Sequence, residues 1–197
     1  MTIKDRSRRN FIKSVLALLG VAGAGLASVP FVRSMQPGKK AQSAAKPIKI
    51  DISGLKPNEK MSVNWQGMPI YIIRRTKEQI AALAKENGAL RDPNSGDSRQ
   101  PQTTENTHRS IRPDIFVVVA VCTHLGCSPT FKPEYASVDQ NWPGGFFCAC
   151  HGSKFDLAGR VYQKVPAPTN LTVPPHFFLD SSTLVVGAAD KSEYNDA

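Results

Sequence analysis

The sequence predicts a mainly β head domain carried on a single N-terminal transmembrane helix, and three observations point that way. An uncharged apolar run near the N-terminus is long enough to cross a bilayer. Short runs rich in β-branched residues recur through the rest of the chain. Every cysteine lies in one of two compact boxes, at 122–127 and 148–153, of a kind that loops between strands present.

At 197 residues and 41% hydrophobic content, the chain has room for one domain with a real core plus an appendage. The net charge of +9 looks like a nucleic-acid signal until it is located. Residues 1–46 carry nine Lys/Arg against one acid, Asp5, whereas residues 47–197 carry sixteen against fifteen. The basic excess belongs to the appendage. The globular part is near neutral, with no basic face of interleaved aromatics, which argues against nucleic-acid binding.

Residues 1–13 form a signal region in which SRRNFIK matches the twin-arginine export address, used for proteins that cross the membrane folded. A basic flank on a membrane helix is the alternative. From Ser14 to Val32 there is no charge, and this run rises ~28 Å as a helix against a hydrocarbon core of ~30 Å. It outlasts the ~7–15 residues of a disposable signal core, so a retained helix over 14–33 is expected, N-terminus cytoplasmic and head outside. Gly20, Gly23 and Gly25 would let another helix approach. Residues 34–47 have no periodicity and read as a flexible tether, reaching ~45 Å if extended.

The head spans 48–197. IKIDI (48–52), MSVNW (61–65) and PIYIIRR (69–75) read as strands. TKEQIAALAKENG (76–88) reads as a helix capped by Thr76 and stopped at Gly88. Residues 91–107 are polar and read as a long surface loop without core residues. IFVVVAV (115–121) is a buried strand entering the first box, and HFFLD (176–180) with TLVVGA (183–188) reads as a closing hairpin.

CTHLGC (122–127) and CACHGS (148–153) hold all four cysteines and two of the four histidines. Soft thiolate and imidazole ligands fit zinc or an iron–sulfur group. Each box offers one thiolate and one imidazole: Cys122 with His124, and Cys148 with His151, since Cys150 abuts His151 and adjacent side chains diverge. Cys127 and Cys150 are left to pair. In an exported protein they should form a disulfide, and closing the 22-residue gap is worth roughly 3 kcal/mol on the chain-entropy model. His108 and His176, outside the boxes, read as surface histidines.

With these boxes, the arginine pair, the single anchor, the tether and a proline loop, GRVYQKVPAP (159–168), nearly the whole chain resembles the Rieske iron–sulfur subunit of ubiquinol–cytochrome c reductase, the cytochrome bc complex. The resemblance implies a Rieske fold of small antiparallel sheets with one helix and a cluster-binding subdomain at about 120–170. It implies one 2Fe–2S cluster, with one iron on Cys122 and Cys148, the other on His124 and His151, and a Cys127–Cys150 disulfide beside them. That two imidazoles in place of two thiolates raise the potential above plant-type ferredoxins is an established property of Rieske centres. It further implies a quinol substrate hydrogen-bonded by His151, the head swinging on its tether to a c-type cytochrome, and the second electron going to cytochrome b. The complex is expected to be dimeric, proton-translocating and in a bacterial inner membrane, with a periplasmic head.

The same resemblance assigns secondary roles. Ser153 would donate a hydrogen bond to a bridging sulfide, raising the potential. Gly126 and Gly152 would let backbone N–H groups approach the cluster, or only satisfy their turns. Leu125 would cap the cluster against water, or be an apolar residue of a docking surface, and Pro166 and Pro168 would wall a third side. At 155 many members carry a tyrosine whose hydroxyl bonds a ligand sulfur; Phe155 here implies a somewhat lower potential. Another exported Rieske carrier, as in arsenite-oxidase-like enzymes, is the nearest alternative. Rieske oxygenases need a mononuclear iron domain for which this chain has no room. A structural zinc domain would be redox-silent.

Overall fold

The computed structural model describes residues 3–38, 46–85 and 87–196. The chain divides into two units, Met1–Gln42 and Ser43–Ala197. Half of the expected tether, residues 39–45, lies outside the described residues.

The first unit is one long helix, α1 (Ile3–Ser34), so the arginine pair and the apolar run are continuous rather than separate. From Arg6 to Ser34 its side chains are uncovered by protein, Phe11 at 71% and Leu26 at 75% exposed, and this stretch is long and apolar enough to cross a membrane. The hydroxyls of Ser28 and Ser34 donate to the carbonyls of Gly25 and Phe31 at 2.7 Å, so neither is left unsatisfied in an apolar medium. Pro30 lies inside the helix and lacks the N–H that would bond one turn back.

The second unit is built from three three-stranded antiparallel sheets. Strand β1 (Ile48–Asp51) pairs with β9 (Thr183–Val186), which pairs with β8 (His176–Phe178). Strands β2 (Lys60–Trp65), β3 (Met68–Arg74) and β4 (Ile115–Val119) form the middle sheet, and β5 (Thr130–Lys132), β6 (Gly145–Cys148) and β7 (Ser153–Phe155) the third. The β2–β3 hairpin turns on Gln66 (φ 53°) and Gly67 (φ 76°); positive φ at both suits the right-handed twist of the strands.

Strands β3 and β4 of the middle sheet are buried on both faces, which is why β4 reads IFVVV without polar alternation, whereas β2 exposes Lys60, Ser62 and Asn64 on one face. Ile70, Ile72, Ile115, Val117 and Val119 enter one core with Leu184 and Val186 of β9. Tyr71, Ile73, Phe116 and Val118 point the other way, into a second core with Phe146, Phe155, Cys122 and Cys148. Ligand candidates and strand side chains therefore share one apolar interior.

Two expectations are corrected, and three strands appear that the sequence did not announce. The helix after Thr76 is shorter, α2 (Lys77–Leu83), with a separate 3-10 turn at Asn87–Ala89. Its start is as expected: Thr76 accepts from Gln79 N while the Gln79 side chain returns to the Thr76 N–H. Past its end the Lys85 N–H turns back to Ala82 O at 3.0 Å, tightening the last turn. The 91–107 segment is not free of core residues: Thr104 is buried, its hydroxyl on Pro101 O, and Asn170 donates to Asp92 O, tying the segment to the body. Finally, β5, β6 and β7 escape a reading by periodicity, being three or four residues long and interrupted by glycine and box residues. A short C-terminal helix, α3 (Lys191–Asp196), brings Tyr194 onto Phe177.

Candidate metal centre

Both boxes fold as tight turns hung from strand ends. In the first, which β4 leads into, Gly126 N donates to Cys122 O at 3.0 Å and Cys122 N to Cys127 O at 2.7 Å. In the second, connecting β6 to β7, Gly152 N donates to Cys148 O at 2.9 Å, and Cys148 pairs with Ser153. The two turns repeat one design, a cysteine carbonyl capped by a glycine N–H four residues on. Gly126 (φ 83°) and Gly152 (φ 77°) are left-handed, so the turns themselves account for glycine, and their N–H groups are committed to those turns.

Cys127 and Cys150 form a disulfide, Cα–Cα 6.8 Å, joining the loops. Cys122 and Cys148 are free thiols, each 2% exposed. Burial pushes the Cys122 thiol up, and the neighbouring Cys148 thiol adds to that; the His124 N–H and the Ser153 hydroxyl oppose it by favouring thiolate. His124 is half-buried and His151 exposed, their rings edge to face with centroids 4.7 Å apart. The donors thus sort by type, thiols together inside and imidazoles together at the surface. Among the described residues, Cys127, Cys148 and Cys150 form a group whose sulfurs lie within 4.8 Å of one another. Two of those are a disulfide without thiolate charge, and neither histidine joins the group.

A third segment closes the site. The Ala167 N–H donates to Ser153 Oγ at 3.0 Å, so the serine's own hydrogen is free for a sulfur acceptor such as Cys122. Thr123 donates to Thr169 O at 2.7 Å, tying the first loop to the end of the proline loop. Ala167 is buried while Pro166 and Pro168 are exposed, and Leu125 is 69% exposed beside His124. Phe155 is fully buried in the core that holds both thiols.

The sequence reading passed over Tyr71, whose hydroxyl meets Ser128 Oγ at 3.2 Å next to the disulfide. Its place in an apolar strand gave no polar signal. Two histidine expectations are corrected: His176 is 0% exposed, its Nδ1 2.9 Å from Pro174 O, and His108 is half-buried. His176 follows two prolines that look like a surface turn, yet its place opposite Val186 directs it inward.

Two buried thiols and two outward imidazoles, on loops already joined covalently, fit a group with one sulfur-bound and one nitrogen-bound metal better than a single tetrahedral ion. Residues 99–175 match the family model of the Rieske [2Fe-2S] domain. The chain is similar to the ubiquinol-cytochrome c reductase iron-sulfur subunit of Allochromatium vinosum, 44% identical over 93% of this chain and 89% of that one. It is also similar to that of Blastochloris viridis, 39% identical over 93% and 94%. Among solved structures, a chain of a hyperthermophilic respiratory Complex III aligns at a TM-score of 0.47 and 28% identity, covering 88% of this chain and 98% of that one.

Proposed function

The chain belongs to the family of ubiquinol–cytochrome c reductase iron–sulfur subunits, and from that premise we propose what its individual residues do. It is the electron-transfer subunit of the respiratory oxidoreductase, anchored in a membrane alongside cytochrome partners, with a Rieske 2Fe–2S cluster as its cofactor. When bound, the cluster supplies a one-electron carrier.

Cys122 and Cys148 hold one iron from within the core, and His124 and His151 hold the other at the surface. The Cys127–Cys150 bridge keeps the two loops in register when the imidazoles are loaded. Ser153 donates to sulfur while its oxygen anchors Ala167. Leu125, Gly126 and Gly152 form the lip of the site, with Leu125 capping the cluster against water. His151, the more exposed ring, accepts the hydrogen bond of a quinol hydroxyl and takes its proton, with His124 as the second proton-holding ring. Charge and proton then move together, as a quinol requires.

The domain plan follows: export signal at 1–13, membrane helix at 14–33, tether at 34–47, head at 48–197 with a cluster-binding subdomain at about 120–170. The arginine pair is read by the twin-arginine pathway, the N-terminus stays cytoplasmic and the head is periplasmic. The complex is dimeric and translocates protons. The observation that carries the reading is the pair of surface imidazoles over two buried thiols on disulfide-linked loops. His151→Gln in the membrane complex tests it. Quinol-driven reduction of the c-type cytochrome should fall to background while the b- and c-type cytochromes still copurify; retained turnover contradicts the role of His151.

A further inference from the structure

Three arginines are buried in the head: Arg75 at 2% exposure, and Arg109 and Arg160 at 0%. Arg160 pairs with Asp156, Nε to Oδ2 2.7 Å, both side chains buried, so these charges offset each other. The other two end on neutral oxygens. Arg75 donates to the carbonyls of His108 (2.9 Å), Pro113 (3.0 Å) and Leu157 (3.2 Å) and to Ser110 Oγ (2.6 Å). Arg109 donates to the carbonyls of Ala158 (3.0 Å), Gly159 (3.3 Å) and Leu171 (2.8 Å) and to Gln100 Oε1 (2.7 Å). Carbonyl dipoles solvate a guanidinium but do not cancel its charge. Burial lowers Arg75 to about 9 and Arg109 to about 10, which leaves both protonated at neutral pH. The buried Asp156 attracts both of them as well as Arg160, and Asp114 and Asp92 add to that from partly exposed positions, so one buried carboxylate faces three buried guanidiniums.

One cation lies over the ring of Phe116 and the other is near it. The Arg75 guanidinium lies 5.0 Å from the Phe116 centroid. At Gly159, the space where a Cβ would stand is 3.2 Å from Phe116 Cζ and 3.3 Å from Arg109 Nη1. Phe116 in turn lies 6.2 Å from Phe146 of β6, the strand that ends at Cys148, and shares one core with Cys122 and Cys148. Phe116 and the thiols share one buried core, and salt screens buried charges much less than exposed ones.

We propose that Arg75 and Arg109 are electrostatic positioning residues for the redox site, two buried cations in excess of the single buried carboxylate Asp156, whose field across the Phe116 core stabilises the additional negative charge of the reduced state and raises its potential. This rests on the ligand assignment above. The electron concerned is the one drawn from quinol, and no other reactant is involved.

Potentiometric titration followed by EPR on the assembled complex tests the proposal, using Arg75→Gln, Arg109→Gln, Arg109→Lys and Asp156→Asn at low and high salt. Each Gln variant should lower electron affinity roughly threefold to tenfold, a tenfold change being ~59 mV for one electron. Arg109→Lys keeps the charge and should stay near the parent. Asp156→Asn unmasks Arg160 and should move the potential up, the opposite sign, while its amide oxygen still accepts from Ala158 and Arg160 N–H. Shifts should persist at high salt. Unmoved potentials, or all variants moving the same way, overturn the proposal. Should Arg109→Gln not fold, the opposed signs of Arg75→Gln and Asp156→Asn decide it. A parent protein without a 2Fe–2S signal overturns the ligand assignment and the proposal together, whereas a signal with unmoved potentials overturns the proposal alone.

Discussion

Ser153→Ala separates structure from tuning at a single hydroxyl. The serine is 1% exposed, and its oxygen accepts the Ala167 N–H at 3.0 Å. Because that oxygen is the acceptor there, its hydrogen turns to the sulfur side, where it favours thiolate at Cys122. Alanine therefore does two things. It orphans a buried N–H, at a cost of about 1–3 kcal/mol of stability. It also removes a donor to a charged sulfur, a bond of about 1.5–3 kcal/mol that is stronger when the site is more negative. If half of that distinguishes the two redox states, the potential falls by roughly 30–65 mV, since ~59 mV is a tenfold change for one electron. Thermal unfolding and EPR-monitored titration of Ser153→Ala and Ser153→Thr measure the two effects separately. The threonine variant keeps both bonds and should hold the potential. A lowered melting temperature with an unmoved potential in Ser153→Ala would refute the donor role, leaving the serine as a peg for the proline loop.

Phe155→Tyr places a hydroxyl in the fully buried core beside the thiols, and titration should show a higher potential; no change removes the idea that this position tunes the site. Cys150→Ser opens the bridge between the loops and should cost roughly 3 kcal/mol of stability, with faster loss of the 2Fe–2S absorbance on warming; an unchanged loss rate would show the bridge to be dispensable. His176 is held below its ordinary 6.5 by burial, against the smaller opposing pull of the Pro174 carbonyl. Its folded state resists the proton more than the unfolded state does, so stability is full above pH 6.5 and declines as pH falls below it. His176→Gln should flatten that part of the profile in chemical denaturation, and an unaltered slope would contradict it.

The boxes were legible because their chemistry is local: spacing, with the export signal far upstream, set Cys127 and Cys150 apart as a pair from Cys122, His124, Cys148 and His151, and the structure joins that pair. Strands β3 and β4 were legible because burial on both faces writes an unbroken apolar run. What stayed hidden depends on contacts between distant segments. Thr104 and His176 sit in polar or proline-rich stretches and are buried only by what packs on them. Arg75 and Arg109 carry a surface-like composition, and only the carbonyls of 157–159 and 171 reveal where their charge resides. Strand β7 is three residues long, and its partner β6 gives it meaning.

The division of the six box residues into two thiolates, two imidazoles and one disulfide is tested most directly by pulsed EPR of the reduced complex grown with 15N-histidine. The account predicts a 2Fe–2S signal with two strong histidine nitrogen couplings, lost together with the cluster in His124→Gln and His151→Gln. A signal without nitrogen coupling, or couplings that survive both substitutions, would contradict it.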